Sequence, residues 1–169
     1  MVPRTGLAGL LATLLLAVAI PSHARDHAFP AGAETMGRSH PSELMMRAPA
    51  LLQSGKGEEA TFWFYAGQLR WRSRLTADPT QDPTGEPALF SSLFETIGPE
   101  VNDWAFGNIP ELQRTIDAVL DWDDRYPDPS LDGAVHAATR KGLADLRDQI
   151  GREADAIRTE RAARGLANR

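Results

Sequence analysis

Residues 58–75 read EEATFWFYAGQLRWRSRL, and whether they coil or extend decides the fold. Ala60, Phe64, Gly67, Trp71 and Leu75 recur at helical spacing, while Phe62, Tyr65 and Leu69 form a second apolar line. Aromatic residues also favour sheets, so a strand over Thr61 to Tyr65 is an alternative. The segment is bounded by good helix formers and continues well past strand length, and a helix is therefore expected. A helix that is apolar on two sides belongs at the centre of its domain.

Working outward from this helix, the flanking sequence is punctuated by helix starts and stops. On the N-terminal side, Pro41 suits an opening turn and Leu44, Met45, Ala48, Leu51 and Leu52 carry a first helix, which Pro49 either bends or delays. Gly55 and Gly57 end it. On the C-terminal side, Asp78-Pro79, Asp82-Pro83 and Gly85-Glu86-Pro87 make a loop that no regular element crosses. Leu89, Phe90, Leu93, Phe94 and Ile97 then define a one-sided helix that Gly98-Pro99 should stop, with a short turn carrying Val101, Trp104 and Phe106. Asn108 precedes Glu111 by three residues, the pattern of reciprocal capping, and Leu112, Ile116, Val119 and Leu120 supply the buried stripe of a helix ending near Tyr126-Pro127. A last long helix opens around Ser130 and runs through Val135, Leu143, Leu146, Ile150, Ala154 and Ile157 to Gly165. The expected fold class is all-α: an irregular bundle of about five helices over residues 41–165, followed by a tail at 166–169.

The N-terminus has the parts of a secretory signal: Arg4, an apolar run from Leu7 to Ile20, and Pro21-Ser22-His23-Ala24 as a small-residue end. Cleavage after Ala24 fits this pattern. The run is shorter than the roughly 20 apolar residues of a membrane-spanning helix, so no stable membrane anchor is expected and the mature protein should be periplasmic or secreted. Residues 25–40 show no apolar period and read as a flexible leader.

The chain contains no cysteine, so thiol nucleophiles and cysteine ligands are excluded and no disulfide supports the exported fold. Apolar packing has to do so. The signal holds one of the 18 basic residues and none of the 23 acidic ones, which leaves the mature chain with 17 against 23 and a net charge of -6. Nucleic acid is a poor partner for such a chain, because its binding is dominated by cationic contacts to phosphates.

Residues 50–67, ALLQSGKGEEATFWFYAG, resemble the turn of a tetratricopeptide or Sel1-type helical hairpin, with Ala50, Leu51, Gly55, Ala60, Phe64 and Gly67 at its small, large and turn positions. The likeness covers one hairpin, and Arg72 stands where such repeats usually close with proline. The resemblance implies a protein-binding scaffold.

Several groups are candidates for chemistry. Asp121, Asp123, Asp124 and Asp128 cluster at the C-terminal end of the capped helix, where the dipole disfavours anions. They read either as solvated acids partly neutralised by Arg125 and the arginines of the last helix, or as a surface for a basic partner. An EF-hand loop from Asp121 fails, because Tyr126 occupies the position that requires glycine, and no metal is assigned. Arg70 and Arg74 lie four apart on one helical face with Gln68 close by, an arrangement suited to an anion if the three converge and to internal ion pairs if they do not. His136 reads as a partly buried structural histidine. Glu58 and Glu59, with Trp63 and Trp71 to stack sugars, suggest a glycan-cleaving or glycan-binding site; as first-turn acids, the two glutamates also simply favour a helix N-terminus.

With no nucleophile motif and no cofactor expected, the leading expectation is a non-enzymatic protein that binds a protein partner in the cell envelope, as an inhibitor, immunity-type factor or scaffold. A cell-wall glycan hydrolase or glycan binder is the alternative.

Overall fold

A computed structural model of the chain describes residues 29–169, and the expected signal segment lies outside the described residues. The described part is all-helical. A 3-10 turn, Ala33–Thr35, leads into α1 (Pro41–Met45), α2 (Ala48–Gln53), α3 (Gly57–Ala77), α4 (Glu86–Ala105), α5 (Ile109–Arg125), α6 (Gly133–Arg152) and α7 (Ala154–Ala163).

The aromatic segment is the helix α3, and it is central. It is covered by α1, α2, α4, α5 and α6, and every residue from Ala60 to Trp71 is buried. Two apolar lines on one helix require partners on both sides, and the short helices supply one wall while α5 supplies another. Phe62, Trp63 and Trp122 of α5 meet edge to face, with centroids 5.1 to 5.9 Å apart. Trp71 meets Phe90 of α4 in the same manner at 5.4 Å. Burying each such side chain contributes about 1.5–3 kcal/mol, which is how a chain without disulfides holds together.

Gly67 is where α1 comes closest to α3. A Cβ built there would lie 2.5 Å from Met45 Cγ and 2.8 Å from the Pro41 carbonyl oxygen, so only glycine admits this approach.

The structure departs from the sequence reading at four places. Residues 29–40, expected as a flexible leader, are folded onto the core: Ala33 is buried and its carbonyl accepts a 2.9 Å hydrogen bond from Trp122 Nε1. Pro49 starts a second short helix instead of bending one long helix. Gly98-Pro99 does not stop α4, which runs through both residues. Pro99 faces solvent, while Ile97, Gly98 and Val101 on the opposite side pack inward, Gly98 beneath the Phe64 ring, and this packing holds the helix across the missing N–H. Finally, the long C-terminal helix divides at Glu153 into α6 and α7. The C-terminal tail is tied down as well, Arg169 N donating to the Gly107 carbonyl at 2.6 Å and its guanidinium lying 3.6 Å over Trp104.

Candidate functional site

The acidic run at the end of α5 divides according to helical phase. Asp123 continues the inward stripe Leu112, Ile116 and Val119 and is 2% exposed, whereas Asp124, one residue on, is exposed. Asp121 is half-buried, and Asp128 accepts the Ser130 backbone N–H and hydroxyl at 2.9 and 2.7 Å, fixing the turn before α6.

Around Asp123 the fold assembles a polar node from three helices. Arg70 of α3, fully buried, gives its Nε hydrogen to Asp123 Oδ1 at 2.9 Å. Its other nitrogens donate to the carbonyls of Gly37 and Tyr126, and the guanidinium stacks 4.1 Å over Trp122. On the other carboxylate oxygen, His136 Nε2 lies at 2.7 Å and Arg140 Nη1 at 2.5 Å, both from α6. Arg140 reaches on to Asp124 and to the Leu120 carbonyl. Burial by itself would raise the Asp123 pKa; the hydrogen bonds and charges of His136 and Arg70 outweigh it and hold the carboxyl down to about 2.

Ser73 completes a chain. Its Oγ lies 2.8 Å from His136 Nδ1, so serine, histidine and aspartate follow one another as in a hydrolase triad. The surroundings argue for a structural role. Ser73 is 1% exposed and bonds the Leu69 carbonyl one turn back, and two arginines already pair with the aspartate. A nucleophile needs substrate at its oxygen, and this buried oxygen is already engaged by the Leu69 carbonyl and His136.

The anion site anticipated from Arg70, Arg74 and Gln68 does not come together. Arg70 is committed to the node; Arg74 lines a polar hollow with Asp78, Glu86 and Asp132; Gln68 faces a third region described below. Trp63 and Trp71 are sealed in the core at 1% and 0% exposure, so neither offers a ring to a sugar.

Two other concave surfaces have linings suited to a ligand or partner. The first is a cleft of about 350 Å³ where α3 and α5 begin, lined by Glu58, Glu59, Glu111 and Arg114 beside Phe29 and Phe62. The three glutamates stand in first helical turns, where the macrodipole favours negative charge. Glu59 pairs with Lys56 at 3.2 Å; Glu111 N donates to Asn108 Oδ1 at 3.2 Å as the N-cap expects, but Glu111 Oε2 accepts from Asn108 Nδ2 at 3.0 Å and not from the Asn108 backbone N–H, which bonds the Ala105 carbonyl. The α5 stripe Glu111, Thr115, Ala118 continues by helical spacing to Asp121. The sequence marked Glu58 and Glu59 but not Glu111, whose capping role hid its place in the cleft.

The second is a groove of about 490 Å³ between α3, α4 and α6, floored by Leu69, Leu75, Phe90, Leu143 and Leu146, with Gln68 and Arg72 in its wall. Tyr65 stands at one side, its hydroxyl donating to Asn102 Oδ1 at 3.3 Å and pushed up to about 12 by burial. No sequence motif signalled this groove, because it arises from the incomplete closure of α6 over α3.

Compared with known protein families, curated proteins and solved structures, the chain matches none of them.

Proposed function

We propose that this chain is a non-enzymatic protein exported to the cell envelope, cleaved after Ala24, which binds a basic protein partner at the cleft where α3 and α5 begin. The observation that carries this reading is the convergence of Glu58, Glu59 and Glu111 on one open cleft, with Arg114 as the single cation among its lining residues. The helical stripe that extends it leads to half-buried Asp121. In a mature chain of net charge -6 these carboxylates supply a negative field that speeds encounter with a basic surface and fixes its orientation. An inhibitor, immunity-type factor or scaffold would use such a face, and the tetratricopeptide-like spacing of residues 50–67 accords with a binding role.

The test compares the mature protein with Glu58→Gln/Glu59→Gln/Glu111→Gln as bait for envelope proteins at low and at raised salt. A partner retained by the first, released by salt and absent from the second supports the cleft. Equal retention by both rejects it.

The same convergence of carboxylates favours glycan binding or cleavage as a second reading. With Trp63 and Trp71 in the core, sugar stacking would fall to Phe29, the half-buried ring at the cleft's edge. Sedimentation with peptidoglycan, or release of fragments from it, would put this reading in place of the first.

A further inference from the structure

The groove between α3, α4 and α6 shares no lining residue with the acidic cleft and has a different chemistry. We propose that it binds a single-chain amphiphile with an anionic head, of the fatty-acid class, whose alkyl chain lies on the leucines and whose carboxylate is held by Arg72 and Gln68.

Four observations support this. The groove falls in the volume range of small-molecule sites between bundle helices, and like them it is mostly apolar with a few polar groups. Its α3 wall is one helical face, Tyr65, Gln68, Leu69, Arg72 and Leu75, and its α6 wall is another, Thr139, Gly142, Leu143 and Leu146, so the two make a trough along both helices. Gln68 lines the groove, and its amide makes no hydrogen bond to another described residue. That amide is not sealed from solvent, so it is free to bond a ligand's polar atom. Arg72, one turn further along the same face, is exposed and has no carboxylate partner among the described residues; its guanidinium rests over Phe90 and Phe94 at 5.3 and 5.7 Å.

Together these place one fixed charge and one neutral donor at neighbouring positions above an oily floor. Arg72 and the Gln68 amide both donate, and a carboxylate accepts from both. Leu146, 40% exposed at the rim, and Leu143 below it supply contact for a chain no wider than a methylene ribbon. Gly142 adds an internal gauge of the space, since a Cβ built there meets nothing within 4 Å.

Isothermal titration of the full mature chain with decanoate, and with 1-decanol as the uncharged probe, tests the proposal. Decanoate should saturate at one equivalent. Arg72→Gln should weaken decanoate about tenfold while leaving decanol unchanged, as expected for loss of a charge-assisted bond. Gly142→Leu, which fills the trough and replaces a helical glycine by a better helix former, should weaken both probes and leave the melting temperature unchanged or raised. The proposal is overturned if decanoate does not saturate, if Arg72→Gln binds it as the unsubstituted protein does, or if Gly142→Leu has no effect. It is equally overturned if the chain ignores decanoate but sediments with vesicles of phosphatidylglycerol, because the groove then serves a bilayer and not a free amphiphile.

Discussion

Arg70 and Asp123, 53 positions apart in the chain, meet at 2.9 Å with side chains 0% and 1% exposed. Through this pair α3 is joined to α5, and through Asp123 both are joined to His136 and Arg140 of α6. α6 depends on this more than the other long helices do, because Ile150 is its one fully buried residue. Its docking is polar, with Arg147 pairing to Asp117 and Gln113 Nε2 donating to the Arg147 carbonyl at 3.2 Å.

The node makes stability depend on acid in a defined sense. The Asp123 carboxyl falls from an ordinary value of 3.8 to about 2 in the folded chain. A depressed folded pKa adds stability above the unfolded value, and that contribution is lost as the pH drops toward the folded one. It amounts to about 2 kcal/mol. Urea midpoints should therefore hold level in this respect from pH 7 to about 5 and decline between about 4 and 2. Asp123→Asn should remove this component of the decline, which a pH series on both proteins will show.

Gly67→Ala should destabilise the protein by about 1–3 kcal/mol, since the methyl would press on Met45 and on the Pro41 carbonyl backbone, which cannot turn aside. Gly142→Ala serves as the control. It lies on a helix facing open space and should stabilise slightly. Paired thermal melts measure the contrast.

Ser73 should not behave as a nucleophile despite its histidine and aspartate. A fluorophosphonate probe should leave it unmodified in the folded protein, as read by intact mass. Ser73→Ala should lower stability by about 1 kcal/mol, the worth of a buried hydrogen bond. Stoichiometric labelling at Ser73 would show that the oxygen is reachable after all.

Much of the architecture could be read from local pattern. The central helix was legible because its apolar residues keep helical period over a length no strand sustains, and the start of α5 because the Asn108 side chain caps the Glu111 N–H three residues on. Breaks governed by tertiary contact were not. Pro99 looks like a stop in sequence, but Ile97 and Val101 pack inward on either side of it. The division at Glu153 follows Gly151, which lies against Gln113 of α5, a neighbour no local rule supplies.

The candidate sites were less legible for the same reason. Asp123 read as one of four similar acids, although its spacing of four from Val119 and seven from Ile116 put it on the buried stripe, and that phase was the available signal. Arg70 likewise falls three and four residues after Gly67 and Ala66, inside the core-facing set. Their meeting across distant helices has no trace in composition. The groove has none either, being the space left where α6 stands off from α3.

The claim central to the fold is that Arg70 and Asp123 form a buried ion pair that ties α3 to α5. A double-mutant cycle on Arg70→Met and Asp123→Leu, read by urea unfolding at pH 7, tests it directly. Each single change should cost about 3–5 kcal/mol by stranding a buried charge, and the double variant should lose clearly less than their sum, a coupling of about 2 kcal/mol or more. Additive losses, with no coupling between the two positions, would contradict the account.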